Sequence, residues 1–362
     1  VPDHPDTYYM EKALELAEAG LGRVAPNPSV SCLIVKDGEI IGRGGRTADG
    51  GRPHAEKLAL EEAGERARGA TAYVTLEPCW HADRPSCSTA LIEAGVKRVV
   101  IACHDHNPLI HGKGFTALKN AGIEVVGSCL EDRALKLNKG FFLTKLKQRP
   151  LVTLKMAVSL DSKIAGAGGH SQWITGEAAR RQVHIDRSRH DAILTGIGTI
   201  LADDPLLTTR LKNTDHKSRR IILDTTFRFN EKLKINKTLD QGRIIIFTSP
   251  EHSKQTIGGV EILPADLEDN GKISIPFVLK SLAVDGVTRL MVEAGQDVFT
   301  SFLKSGLWDY LHLYRAPMII GADGKDAFGA LGVTDLGKAP RLKLVDQQSL
   351  GDDVLEIYEN PV

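Results

Sequence analysis

The sequence predicts two α/β domains in tandem, joined near Lys147–Pro150. Three observations predict this. The 362 residues suffice for about two domains at ~150 residues each. Helical and strand-like patterns alternate on both sides of the "KQRP" junction, the order expected of α/β layers. All five cysteines (Cys32, Cys79, Cys87, Cys103 and Cys129) fall before that junction, so the halves carry different chemistry.

In the first half, "YYMEKALELAEAG" is an amphipathic helix ending at a glycine, and "SVSCLIVKDGEIIGRG" reads as a β-hairpin turning at Asp37-Gly38. A helix is expected from His54 to about Arg68, followed by the strand "ATAYVTL" with "EPC" at its end. The helix "STALIEAG" and strand "KRVVIAC" complete a βαβ pattern, and "IEVVG" and "EDRALKLNKGFF" close the unit. The second half restarts with the strand "LVTLKMAVSL". Strands are expected again at "DAILTG", "RRIILD", "GRIIIFTS", "TRLMVEAG" and "YLHLYRAPMII", with helices at "EAARRQVHIDRSR" and "DVFTSFLKSG". "RLMVEAGQDVFTSFL" reads as a parallel crossover, and residues 212–217 as a polar surface loop.

Composition narrows the function classes. Apolar residues make up 42% and charged residues 25%, as in soluble globular proteins. Lys+Arg and Asp+Glu both number 46, which gives no electrostatic support for nucleic-acid or membrane binding; only 5% is aromatic and no RNA-binding motif is found. No apolar run approaches a membrane span, and the N-terminus lacks a signal-peptide layout, so a cytoplasmic location is expected. An odd number of cysteines confined to one region argues against a disulfide framework and for thiol or metal chemistry there.

The first constellation combines His54-Ala55-Glu56 at a helix start with Pro78-Cys79 at a strand end and Cys87 beyond it. One histidine and two thiolates leave the fourth position of a Zn²⁺ ion open, which marks a catalytic rather than a structural site. Zinc brings the pKa of bound water toward ~7. Glu56 is not needed as a ligand and is placed to carry the proton from water to a leaving amine. H-x-E…P-C-x-x-C is the signature of zinc nucleobase deaminases. The second spacing here is C-x7-C, so "WHADRPS" must loop the second thiol back. His81 within it has three readings: loop residue, substrate contact or rival ligand. Cys32 and Cys103 read as core residues.

The longer motifs "APNPSVSCLIVKDGEIIGRG", "PHAE", "ATAYVTLEPC", "ALIEAGVKRVVIA", "NPLIHGKG" and "LNKGFF" resemble the deaminase domain of the bifunctional riboflavin-biosynthesis deaminase–reductases. "LKMAVSLDSKIA", "SQWITG", "DAILTGIGTILADDPLLTTR", "VEAG" and "APMIIG" continue the resemblance over nearly the whole chain. The resemblance implies a cytidine-deaminase-like three-layer domain followed by a dihydrofolate-reductase-like domain. It implies a zinc-dependent pyrimidine deaminase over residues 1–147 and an NADPH-dependent reductase over 150–362. The implied substrates are small phosphorylated pyrimidines, with no nucleic-acid or membrane partner, and a homo-oligomer is expected. The family has eight residues between the zinc cysteines where "WHADRPS" has seven, "GGRTADGG" stands where the family has a "GxH" context, and Ser162 replaces the usual glycine after Ser-Leu-Asp.

The second constellation is a nucleotide and phosphate site. Gly295 lies between a strand and a helix, where backbone N–H groups bind anions and a glycine admits a pyrophosphate. By resemblance this joint, with Gln296, holds NADPH; Ala157, Trp173, Thr199, Asp203 and Thr225 also face the cofactor. The resemblance assigns substrate contacts to Ser171, Arg187, Leu207, Arg210 and Glu293, arginine being suited to a bidentate grip on phosphate. Arg228 has two readings, a 2′-phosphate contact and an exposed structural arginine. Lys155 and Asp161 flank a strand end near the expected site, where they would polarise the substrate or support its hydroxyls.

Overall fold

The computed structural model describes residues 5–45, 53–81, 85–106, 111–212 and 216–361. Most of "GGRTADGG", the middle of "WHADRPS", the "NPLI" of "NPLIHGKG" and the centre of the loop expected at 212–217 lie outside the described residues. The chain divides into two compact units, Val1–Lys147 and Gln148–Val362. Among the described residues no helix is long and apolar enough to cross a membrane.

The first unit runs α1 (Asp6–Glu18), β1 (Ser31–Lys36), β2 (Glu39–Gly45), α2 (Ala55–Ala63), β3 (Thr71–Val74), α3 (Cys87–Glu93), β4 (Arg98–Ile101), α4 (Lys113–Asn120), β5 (Glu124–Val126) and α5 (Glu131–Lys147). Its five strands lie in the order β2-β1-β3-β4-β5. β2, β1 and β3 pair antiparallel, whereas β3, β4 and β5 pair parallel. The hairpin turns at Asp37 (φ 50°) and Gly38 (φ 76°), the paired left-handed conformation of a type I′ turn. Successive residues of β1 face opposite ways, so the sheet has a core on each face. Leu33 and Val35 pack with Tyr9, Leu14 and Phe141 from α1 and α5. Cys32 and Ile34 pack with Ala55, Ala59 and Leu91 from α2 and α3. The helix expected to reach Arg68 leaves α geometry earlier, because Gly64 takes φ 55°, and a 3-10 turn over Gly64–Ala67 completes it. α4 was not anticipated from the sequence.

The second unit runs β6 (Leu151–Val158), β7 (Lys163–Ala165), α6 (Glu177–Ser188), β8 (Ala192–Gly196), α7 (Ile197–Asp203), β9 (Arg219–Leu223), β10 (Ile244–Thr248), β11 (Val260–Pro264), α8 (Ile275–Val284), β12 (Arg289–Val292), α9 (Gln296–Ser305), β13 (Tyr310–Arg315), β14 (Lys325–Asp326), β15 (Lys343–Leu350) and β16 (Asp353–Glu359). A nine-stranded sheet follows the order β11-β10-β9-β8-β12-β6-β13-β16-β15, and β14 pairs with β7 separately. The strands from β11 to β13 pair parallel, while β16 and β15 pair antiparallel. β8 and β10 are buried at every residue, the reason their sequences are apolar runs without alternation. β12 and β13 both flank β6, with α9 between them in sequence, which is the crossover expected at "RLMVEAGQDVFTSFL". β11, α8 and the β15–β16 hairpin were not anticipated. The C-terminal ends of β6, β8 and β12 open toward the starts of α7 and α9, where parallel sheets accept ligands.

Candidate active sites

In the first unit, close packing of α2 on the hairpin sets the site. A Cβ at Gly42 would lie 2.1 Å from the Ala59 carbonyl oxygen, and one at Gly44 would lie 1.7 Å from that of Ala55. Only glycines let the helix lie this near β2. The packed face then carries Ala55, Glu56 and Ala59 inward, with His54 at the N-cap. Cys79 follows β3, and Cys87 is the first residue of α3. Ser88 ties the two cysteine segments together: its Oγ donates to the Pro78 and Cys79 carbonyls, both at 3.1 Å, and its N–H donates to Cys79 O at 3.1 Å. The Ser86 hydroxyl caps α3 by accepting from Thr89 N–H.

These elements bring His54, Cys79 and Cys87 together, with all ligand atoms within 4.8 Å of one another. His54 Nδ1 lies 3.1 Å from Cys87 Sγ and 3.7 Å from Cys79 Sγ. Tetrahedral zinc with bonds of ~2.3 Å to sulfur and ~2.0–2.1 Å to nitrogen spaces such atoms about 3.5–3.8 Å apart; the Cys79 distance lies in that range and the Cys87 distance is shorter, and one imidazole with two thiols is the donor chemistry zinc takes. The Cys79 thiol is pushed down by the hydrogen bond from Cys87 and, against burial, by His54. The Cys87 N–H also donates to Cys79 Sγ at 3.4 Å. Glu56 is almost wholly buried beside this set, and burial raises its carboxyl above the ordinary range. Cys32 and Cys103 are core residues, and neither they nor His81 belong to the cluster among the described residues.

Sequence reasoning missed Glu77. Its buried carboxylate faces His104 Nδ1 at 3.1 Å and accepts from the N–H groups of Asp105, Gly112 and Phe115 at 3.1–3.3 Å. It therefore fastens the start of α4, whose Gly114 comes so near Pro78 that a Cβ would lie 2.0 Å from its carbonyl oxygen. The one available signal was a glutamate inside an otherwise apolar strand end.

In the second unit a cavity of about 690 Å³ lies at the strand ends, within the usual range for a cofactor or substrate site. Glu293 follows β12 and binds the Arg187 guanidinium through both oxygens (2.6 and 2.9 Å), with Lys155 Nζ 3.8 Å away. Burial alone would raise the Glu293 carboxyl, but Arg187 outweighs it and holds the group at about 2. Burial lowers the Lys155 ammonium. Arg187 also donates to the Thr208 carbonyl at 2.9 Å. His184 is pushed down to about 4, first by burial and then by Arg187 and Arg210.

The cavity gathers most of the expected residues. Ala157, Ser171, Trp173, Thr199 and Asp203 line it, as do Arg210, Gly295 and Gln296. The Ser171 hydroxyl donates to Asp203 at 2.9 Å, and the Arg180 guanidinium stacks 4.7 Å above the Trp173 ring. Trp173 is 62% exposed, too open for a core tryptophan. Leu207 also lines the cavity, but its side chain is buried among Ile193 and Ile197, so its backbone is the part left to face a ligand. Gly295 caps α9, and a Cβ there would meet nothing closer than Thr199 Oγ1 at 3.8 Å, so the space in front of it suits a phosphate. Thr225 stands apart, beyond β9, with its carbonyl accepting from Ser249 N–H. Arg228 is exposed and Asp161 is off the cavity lining. Asp161 accepts from Ser159 Oγ and from the Ile320 and Gly321 amides, which makes it a turn anchor.

An open three-ligand metal set beside a buried glutamate suits a zinc-dependent deaminase. A helix start open to a cavity over a parallel sheet, beside a buried ionic cluster, suits a nucleotide-dependent reductase. Comparison with known proteins agrees on both counts. Residues 3–103 match the cytidine and deoxycytidylate deaminase zinc-binding region, and residues 150–355 match the RibD C-terminal domain. The chain is 40% identical to riboflavin biosynthesis protein RibD of Aquifex aeolicus over 359 residues, 98% of each chain. The structure of Acinetobacter baumannii RibD, form 1, superposes with a TM-score of 0.88 at 39% identity, covering 99% of each chain. A Thermotoga maritima structure described as a diaminohydroxyphosphoribosylaminopyrimidine deaminase/5-amino-6-(5-phosphoribosylamino)uracil reductase gives 0.87 at 37% identity, covering 98% of each. The chain belongs to the RibD family, the bifunctional deaminase–reductases of riboflavin biosynthesis, with a zinc-binding deaminase domain and an NADPH-dependent reductase domain.

Proposed function

We propose that residues 1–147 deaminate 2,5-diamino-6-ribosylamino-4(3H)-pyrimidinone 5′-phosphate, and that residues 150–362 reduce the ribosyl chain of the resulting aminouracil phosphate to the ribityl form. The observation that carries this reading is the convergence of His54, Cys79 and Cys87 beside the buried Glu56. His54, Cys79 and Cys87 would hold zinc, which supplies a Lewis acid that makes water acidic near neutral pH. Glu56 takes a proton from the attacking water and returns it to the departing amino group. Water oxygen bonds to the ring carbon, the carbon–nitrogen bond breaks, and ammonia leaves.

In the reductase cavity NADPH would supply a hydride. Orientation is then the main task of the protein. Gly295 and Gln296, Thr199, Asp203, Ala157 and Trp173 would hold the dinucleotide, and Thr225 would contact it from outside the cavity lining. Glu293, Arg187, Arg210, Ser171 and the Leu207 backbone contact the substrate. Arg187 is already held by Glu293 and orients that carboxylate. Arg210, whose guanidinium is not ion-paired to any described residue, is the freer phosphate contact.

A homo-oligomer is supported by β15. This edge strand is exposed along nearly its whole length, with Leu344 and Val345 uncovered, a template for pairing with a second copy. A cytoplasmic location is supported by five unpaired cysteines. The test is a coupled assay on the whole chain with the diaminopyrimidine phosphate and NADPH. Ammonia should appear first and NADPH absorbance should fall after a lag. NADPH loss without ammonia would refute the assigned order.

A further inference from the structure

We propose that Lys325 is a cofactor contact of the reductase cavity, its ammonium neutralising the diphosphate of the nicotinamide nucleotide at the start of α9. This rests on the reading that the dinucleotide lies against Gly295.

The other cations on the cavity wall are engaged or stand at the substrate end. Lys155 and Arg187 face Glu293. Lys234 lies 3.5 Å from Asp204, and Arg180 covers Trp173 while donating to the Thr175 carbonyl at 2.7 Å. Arg210 stands beside His184 and Arg187. Lys325 differs from all of these. It lines the cavity from β14, and its ammonium makes no hydrogen bond or ion pair with a described residue. The neighbouring carboxylate, Asp326, is occupied by Lys163 at 2.5 Å.

Position completes the argument. A Cβ built on Gly295 would lie 4.0 Å from Lys325 Nζ and 3.8 Å from Thr199 Oγ1. An ammonium and a hydroxyl therefore overhang the space in front of the helix start, where the first N–H groups of α9 have no intrahelical acceptor. The helix contributes only about half a positive charge there. Asp297, in the same first turn and also on the cavity wall, more than cancels it. An ester diphosphate carrying about two negative charges would be repelled without a further cation, and Lys325 is the cation at that place. Its target is the diphosphate common to NADPH and NADH, and not the 2′-phosphate that separates them.

Titration of the full chain with NADPH and with NADH, read by nucleotide fluorescence, tests this. Lys325→Ala should raise Kd for both nucleotides by about tenfold, less at high salt, because the contact is charge-assisted and partly screened. Lys325→Arg should retain most of the affinity. Unchanged affinity for both nucleotides in Lys325→Ala would overturn the proposal, and so would a loss confined to NADPH. Gly295→Ala separates this from the underlying reading. Its φ of −84° suits any residue and the added methyl meets no protein atom closer than 3.8 Å, so any weakening falls on the nucleotide. If Gly295→Ala binds normally, both the placement and the Lys325 contact fail; if it weakens while Lys325→Ala does not, only Lys325 fails.

Discussion

The deaminase site and the reductase cavity are assembled in different ways. The first draws its three ligands and its proton carrier from one stretch of chain, His54 to Cys87, and fixes them by backbone contacts: glycines under α2 and the Ser88 bridge between cysteine segments. The second joins Lys155, Arg187 and Glu293 from distant strands and a helix, and fixes them by charge. A metal site of the first kind depends on ligand identity at a few positions. A cavity of the second kind depends on a balance among buried charges, so removing one member leaves another uncompensated.

The largest expected effect is on the first site. Glu56→Gln preserves shape but cannot carry the proton, so deamination should fall ~10²–10⁴-fold in an ammonia-release assay. Zinc content and reduction of supplied aminouracil phosphate should stay near wild type. Near-normal deamination would break the assignment of proton transfer to this residue. Cys87→Ala sharpens the metal side: elemental analysis should find about one zinc per wild-type chain and a sharply lower content in the variant. Full retention would point to a ligand outside the set.

In the reductase cavity the two arginines should behave differently. Arg210→Ala should lower kcat/KM for the phosphorylated substrate by about ten- to a hundredfold, the range of a lost charge-assisted bond, with little change for a dephosphorylated one. Arg187→Ala should weaken both substrates and lower the melting temperature, because it strands the buried Glu293 carboxylate. Equal behaviour of the two variants would contradict the view that one arginine grips and the other orients.

The smallest effect is a pH dependence confined to the second unit. His190 is buried, with Nδ1 2.7 Å from the Asp186 carbonyl oxygen and Nε2 3.0 Å from Thr153 Oγ1, an arrangement that suits the neutral ring. Burial, and then the charge of Arg289, pushes it down to about 3. Between ~6.5 and 3 the unfolded chain binds the proton and the fold does not, so this contribution to stability is lost as pH falls through that window. The loss is on the order of 2 kcal/mol by pH 5, or several degrees of melting temperature. Thermal melts of His190→Gln should have a flatter acid limb; an unchanged slope would assign the acid sensitivity elsewhere.

The contrast between the sites also explains what was legible in the sequence. His54, Glu56, Cys79 and Cys87 are readable because metal chemistry restricts residue type and places ligands at helix starts and strand ends. The hairpin at Asp37-Gly38 and the apolar runs of β8 and β10 are readable because turn geometry and two-sided burial leave direct marks. The pairing of Arg187 with Glu293 is not, since its partners come from α6 and the end of β12 and resemble any surface charges in a linear chain. Gly42 and Gly44 look like hairpin residues, although their role is to admit α2. β15 is too polar, and α4 too short, to announce itself by periodicity.

The central claim is that two complete sites work independently on one chain. It is tested most directly by stripping zinc with a chelator and following ammonia and NADPH together, once with the diaminopyrimidine phosphate and once with the deaminated aminouracil phosphate. Chelation should abolish ammonia release and, with the first substrate, NADPH consumption as well, both returning on zinc addition. NADPH consumption with the deaminated substrate should not change. Its loss on chelation, or continued ammonia release from a verified zinc-free chain, would contradict the account.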